Sequence, residues 1–212
     1  MRVACLYSGG KDSNFAVFWA LTQGFEPILI TVKGEKHSMM FHHPNIDKTK
    51  LQAKALGLKQ YFLETDDAHW FENLKKLLKK LKVEGIAAGA LASEYQRRRI
   101  DKLGEELGIP TYAPLWHKKE EMLSELLEYF EIYVTAVAAD GLEKDLLGKP
   151  YKKLVEQVKA KGKEKEINIY LEGGEGETFV SNAPFFKHAI KIKKWKKTWE
   201  KTSGEAQIKE TC

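Results

Sequence analysis

Arg2-Val3-Ala4-Cys5-Leu6-Tyr7-Ser8-Gly9-Gly10-Lys11-Asp12-Ser13 decides the fold. Residues 2–7 read as a buried strand that runs straight into two glycines, a lysine, an aspartate and a serine, with a helix predicted over 14–23 and stopped by Gly24. A strand that turns into a helix in this way gathers backbone N–H groups and the positive end of the helix dipole at one turn, which is an anion site. The paired glycines permit positive φ and leave no Cβ in the way. Lys11 adds mobile positive charge, and Ser8 and Ser13 add hydroxyls. Asp12 has two readings, as a ligand for a magnesium ion or as a cap for the helix.

Outward from this turn, short apolar runs alternate with amphipathic segments of helical length. Pro27 to Val32 reads as a second buried strand, and a longer loop covers 33–46. A helix is predicted over 47–56 and ends at Gly57; Tyr61-Phe62-Leu63 makes a short strand. From Trp70 to Lys82 the apolar residues fall at 70, 71, 74, 77, 78 and 81, one face of a helix. Ile86 to Leu91 is a strand of small residues, and a helix over 95–107 is closed by Gly108. The small residues, Gly89 among them, imply close backbone approach, either by a ligand lying on the sheet or by a tightly packed helix. An extended piece ends at Pro114, a helix covers 119–129, and Ile132 to Val137 continues the strand pattern. Such alternation predicts an α/β fold with a doubly wound, mostly parallel sheet.

After Ala138 the character changes. Residues 140–168 are rich in Lys, Gly and Glu with one predicted helix, short strands follow between 167 and 192, and the last dozen residues read as a polar tail. The division expected is a nucleotide-binding domain over 1–138 and a smaller C-terminal α+β, substrate-binding lobe over 139–212.

Composition narrows the class. The chain has 212 residues, 43% hydrophobic and 31% charged, and no apolar run long enough to cross a bilayer, so a soluble protein with no membrane partner is expected. Met1 to Tyr7 is too short an apolar stretch for a secretory signal, which predicts a cytoplasmic protein. Cys5 and Cys212 lie at opposite ends and form no C-x-x-C pair, against a zinc ribbon or a dithiol centre. Cys5, inside an apolar strand, reads as a core filler. The net charge of +5 is mild and its lysine-rich stretches alternate with apolar residues, the pattern of a solvated face.

The glycine turn is neither a Walker A loop nor a dinucleotide fingerprint. It resembles the PP-loop, S-G-G-x-D-S, whose superfamily binds ATP on an adenine-nucleotide α-hydrolase-like sheet and transfers AMP to a substrate oxygen. That resemblance implies ATP contacts from Ser8, Gly9, Gly10, Lys11, Asp12 and Ser13, and from the strand ends at Thr31, Val32 and Gly89.

Two later segments resemble the diphthine–ammonia ligase family: Gly89-Ala90-Leu91-Ala92-Ser93-Glu94-Tyr95-Gln96-Arg97-Arg98-Arg99, with Pro114-Leu115-Trp116 beyond it, and Glu172-Gly173-Gly174-Glu175-Gly176-Glu177-Thr178. The resemblance implies ATP-dependent amidation of the diphthine carboxylate on translation elongation factor 2 with ammonium, giving diphthamide, AMP and pyrophosphate. It also implies a magnesium ion with the ATP. Lys11, Ser13, Glu175 and Glu177 are then the catalytic candidates. Ser93, Tyr95, Gln96, Arg97, Arg99, Glu172, Gly173, Gly174 and Thr178 are the substrate-binding ones. On a helix Arg97 and Arg99 point apart, so one is expected to meet an anion and the other solvent. Gly176 departs from the family, where an aromatic residue often stands, and is expected to loosen the acidic loop. The alternative is a PP-loop enzyme adenylating a tRNA base, although the absence of a cysteine pair disfavours its sulfur-transferring form.

His37, His42 and His43 lie in the loop after the second strand without the i, i+4 spacing of zinc sites, and no metal site is expected there. Trp195 and Trp199 are expected to pack against the small lobe rather than stack on bases. The sequence leaves open a homo-oligomer, the ammonia source and the contacts with the protein substrate.

Overall fold

The computed structural model describes residues 1–34, 44–89, 94–116, 119–139, 141–161, 168–171 and 173–212. His37, His42, His43, Ser93 and Glu172 lie outside them, as do the side chains of Tyr95 and Gln96.

The alternating N-terminal pattern becomes β1 (Arg2–Leu6), α1 (Lys11–Thr22), β2 (Glu26–Lys33), α2 (Thr49–Leu56), β3 (Gln60–Glu64), α3 (Trp70–Leu81), β4 (Gly85–Ala88), α4 (Glu94–Leu107) and β5 (Thr111–Tyr112). The strands form one parallel sheet in the order β3-β2-β1-β4-β5. Both faces of β1 are buried. Val3, Cys5 and Tyr7 join α1 and α2 residues such as Val17, Ala20, Ala53 and Leu56 on one side. Ala4 joins Trp70, Leu74 and Leu78 of α3 and Leu103 of α4 on the other. The sheet is therefore doubly wound as expected, because continuous apolar strands need a helical layer on each face. Strand order reverses between β1 and β4, so the glycine turn after β1 and Gly89 after β4 flank the crevice where ligands of such sheets bind.

The remaining elements are α5 (Lys119–Tyr129), β6 (Glu131–Val137), α6 (Tyr151–Lys161), β7 (Gly176–Asn182), β8 (Ile192–Glu200) and β9 (Ser203–Thr211). Here two expectations need correction. The strand at 131–137 does not extend the parallel sheet; it is an inner strand of a second, antiparallel sheet ordered β7-β6-β9-β8. The change of sheet thus precedes β6, upstream of the division expected at Ala138. An apolar run alone does not say which sheet will bury it. The presumed tail is β9, whose Ala206 and Ile208, two residues apart, are 0% and 2% exposed. Its remaining residues are largely polar, which hid the alternation.

Trp195 and Trp199 lie on β8 and pack into the lobe as expected. Trp195 covers Gly148, where an added Cβ would sit 3.1 Å from the indole, and lies 5.8 Å from the Tyr133 ring. One apolar cluster runs from Val3 and Val17 through Phe130 and Val134 to Tyr151, Phe179 and Ile208, joining the two sheets in a shared core.

Candidate active site

The turn after β1 is held from within. Gly9 has φ +83°, and α1 begins at Lys11, earlier than expected, so Lys11, Asp12 and Ser13 form its first turn. Ser13 Oγ accepts from the Gly9 N–H (3.1 Å) and donates to the Gly10 carbonyl (3.1 Å), while Ser8 donates to Ser13 (3.3 Å). Asn14 Nδ2 donates to the Gly9 and Gly10 carbonyls at 3.1 and 2.9 Å, and the Tyr7 hydroxyl fixes Asn14 by donating to its Oδ1 (2.9 Å). The strand thus sets the loop's shape through Tyr7.

The second sheet closes on this loop. The Lys11 N–H donates to Thr178 Oγ1 (3.0 Å) and the Val180 N–H to the Gly9 carbonyl (3.1 Å). Gln52, on α2 and wholly buried, donates from Nε2 to both the Gly9 and Val180 carbonyls, each at 2.8 Å. Gln52 is a site-building residue that the sequence reading missed; one glutamine on a helix face carries no signal. A Cβ on Gly10 would come within 3.3 Å of Thr178, so the second glycine admits β7 against the loop. Sequence segments 167 residues apart, Lys11 and Thr178, therefore share one site.

A buried lysine and an aspartate whose side chain is about one-third exposed occupy its centre. The Lys11 side chain is 3% exposed, its Nζ 2.7 Å from Asp12 Oδ2 and 6.0 Å from the centre of the Tyr151 ring. Burial pushes the Asp12 carboxyl above the usual range; Lys11 pulls it back and the charge of Glu177 pushes it up again. Asp12 Oδ1 is buried without a hydrogen-bond partner. An orphaned carboxylate oxygen within electrostatic reach of a second carboxylate suits a hard divalent cation. The described residues contain no cluster of three ligating side chains, so such an ion would take its other ligands from phosphate and water.

Other expected site residues take different places. Gly89 abuts the backbone of α1, and an added Cβ would lie 2.5 Å from the Asp12 carbonyl carbon. Close helix packing, one of its two readings, accounts for glycine at this position. Thr31 donates to the Tyr7 carbonyl (2.8 Å) and accepts from Gln60 (2.8 Å), which engages its hydroxyl in holding the sheet; Val32 is buried beside it. Arg97 pairs with Asp101 (2.8 Å) and lies 5.8 Å from the Trp116 ring, so its guanidinium holds α4 to the Pro114-Leu115-Trp116 segment. Arg99 is partly buried.

In the acidic loop, Glu175 Oε2 accepts from the Asn168 N–H (2.8 Å) and the Glu175 carbonyl from the Ala138 N–H (2.8 Å). Its carboxylate clamps a turn. Gly173 and Gly174 have φ +70° and +85° with open space where a Cβ would be. Gly176 does the reverse of loosening the loop, since a Cβ there would lie 2.6 Å from the Ala136 carbonyl. Glycine lets the start of β7 press against β6.

The profile of the diphthamide synthase N-terminal domain matches residues 1–111, and that of the diphthamide synthase C-terminal domain matches residues 118–212. The two meet between β5 and β6, where the sheets change. A diphthine–ammonia ligase of Bos taurus is 31% identical over 219 residues, covering 90% of this chain and 82% of its own length. That of Schizosaccharomyces pombe is 30% identical and covers 97% of this chain, which spans 38% of it. Among solved structures, a predicted subunit of a tRNA methyltransferase from Methanocaldococcus jannaschii is 19% identical with a TM-score of 0.47, over 87% of this chain and 98% of its own.

Proposed function

The chain belongs to the diphthamide synthase family, and from that membership we propose that it is a ligase that amidates the diphthine carboxylate of translation elongation factor 2, with ammonium as nitrogen donor and ATP converted to AMP and pyrophosphate. A carboxylate is a poor acyl donor until its oxygen carries a good leaving group, and ATP supplies that group. The observation that carries the reading is the docking of Glu177-Thr178 on the Ser8–Ser13 turn, which puts the acidic loop beside the anion-binding one.

In this reading the turn of Ser8 to Ser13 receives the β- and γ-phosphates, with Lys11 exchanging its bond to Asp12 for a phosphate oxygen. Asp12, its Oδ1 already without a partner, holds magnesium together with phosphate oxygens. Thr178 fixes the first N–H of α1, so the loop is ordered before substrate arrives. Glu177 orients ammonium and takes one proton from it, leaving ammonia whose lone pair attacks the adenylated carboxyl carbon as AMP departs. Glu175 keeps the loop in shape. Ser93, Tyr95, Gln96, Arg99, Glu172, Gly173 and Gly174 remain as the substrate-binding set, and because the substrate is a translation factor, the cytoplasm is the compartment.

Incubating the protein with ATP, magnesium, ammonium and diphthine-bearing elongation factor 2 tests this. Mass spectrometry of the factor is expected to show a hydroxyl replaced by an amino group, with AMP and pyrophosphate formed in equal amounts. ADP as the main product, or an unchanged factor, would refute it.

A further inference from the structure

Between Ile190 and Lys201 stand six lysines, Lys191, Lys193, Lys194, Lys196, Lys197 and Lys201, and one acid, Glu200. Their sum equals the +5 of the whole chain, so the charges of all other residues cancel. All six lysines are exposed, and none forms an ion pair among the described residues. They belong to β8 and its flanks, and β8 is one of the two edge strands of the antiparallel sheet, the other being β7. One or two lysines suffice to keep an edge from pairing with another chain. Six lysines on eleven residues repel one another, and the acids facing β8 from β9, Glu210 opposite Lys194 and Glu205 opposite Thr198, are too few to neutralise them.

From this concentration of charge we infer that β8 is the docking edge for the acidic face of the protein substrate. The inference rests on the proposed function for the identity of that substrate. Placement supports it: β8 lies three strands from β7, which carries Glu177 and Thr178, or about 14 Å at roughly 4.8 Å per strand spacing. A macromolecule with one side chain in the active site covers a surface of that reach, whereas ATP and ammonium do not. The indoles distinguish a protein from single-stranded nucleic acid. Trp195 packs over Gly148 and Trp199 over Gly204, so although Lys197 lies between them on the strand, both rings are engaged within the lobe rather than standing out for bases to stack on. Charge complementarity of this kind speeds encounter and orients the partner more than it adds contact energy.

The test is the triple variant Lys193→Gln, Lys196→Gln, Lys197→Gln, all at exposed positions outside the site. Binding of diphthine-bearing elongation factor 2 is measured directly by interferometry at several salt concentrations, alongside KM for the factor, KM for ATP and kcat. Expected are a loss of about tenfold or more in affinity at low salt, a shallower salt dependence, an equal rise in KM for the factor, and unchanged kcat and KM for ATP. Equal affinity for parent and variant would overturn the docking edge. So would loss of duplex RNA binding in the variant with factor binding intact, which would assign the strand to phosphate backbones. The direct binding arm separates the two readings: parent protein that binds the factor through these lysines without amidating it fails the proposed function and leaves the docking edge standing.

Discussion

Glu175 and Glu177 are two residues apart in sequence and differ in what their carboxylates meet. Glu175 accepts from the Asn168 N–H, while Glu177 lies within electrostatic reach of Asp12. Substituting each with Gln therefore separates a clamp from the proposed base. Glu177→Gln is expected to lower the amidation rate about a hundredfold or more with ATP binding nearly intact, as loss of a general base does. Glu175→Gln should keep a carbonyl oxygen for Asn168 and lose less than about tenfold, with about 1 kcal/mol of stability. Stopped-flow rates, nucleotide titration and thermal melting of both variants check this, and equal rates in the two would remove the distinction.

Cys5 offers a second residue-scale test, this time of the nitrogen against the sulfur chemistry. Its thiol is 0% exposed, and burial pushes its pKa up to about 12, so at neutral pH it is neither accessible nor ionised. Cys212 is exposed. Native protein should take up one equivalent of iodoacetamide, at Cys212, and a second only on unfolding. The variant Cys5→Ala, Cys212→Ser is expected to retain its ammonium-dependent turnover, with roughly 1 kcal/mol lost where the buried sulfur is removed. Abolished turnover in a folded, ATP-binding double variant would argue for a sulfur carrier.

Among elements, the contact between α1 and the end of β4 sets the position of the phosphate turn. Gly89 is the point of closest approach, and the nearest atoms to an added Cβ are the Asp12 carbonyl group and the Ser13 nitrogen, all backbone. Backbone cannot swing aside as a side chain can. Gly89→Ala is therefore expected to shift the first turn of α1 and to destabilise the fold by about 1–3 kcal/mol, the usual cost of overpacking. It should also raise KM for ATP while the affinity for the protein substrate stays unchanged. Calorimetric melting and nucleotide titration measure the two effects; parental values for both would mean that the crevice has room the structure does not show.

At the scale of the molecule, two sheets share one core. The cluster that begins at Val3 and Val17 includes Phe130, Val134, Tyr151 and Phe179, and polar bridges cross the same junction, among them Thr178 to Lys11, Val180 to Gly9, Gln52 to Val180, and buried Asn45 to the Ala206 carbonyl and Ile208 N–H of β9. A core of this continuity predicts a single calorimetric transition whose van't Hoff and calorimetric enthalpies agree. Residues 1–116 expressed alone should bind ATP weakly, because Thr178 and Val180 no longer hold the Lys11 and Gly9 backbone. Two separated transitions in the full chain would show that the sheets fold independently.

By itself the sequence determined the parallel sheet, the helices on its two faces, the glycine turn between β1 and α1 and the buried place of Cys5. Each of these is written locally, as an apolar period, a glycine stop or a glycine pair beside a lysine, and a local pattern survives translation into local structure. Only the tertiary structure decided that 131–137 joins the second sheet, that the polar stretch Ser203–Thr211 is an inner strand, and that Gln52 ties the phosphate turn to β7. It also separated Glu175 from Glu177 and gave Thr31 and Arg97 partners within the protein. The physical reason is the same in each case. Which strand a strand pairs with, and which polar atom a side chain reaches, is settled by hydrogen bonds between residues far apart in the chain, and the types of those residues do not record where their partners will lie.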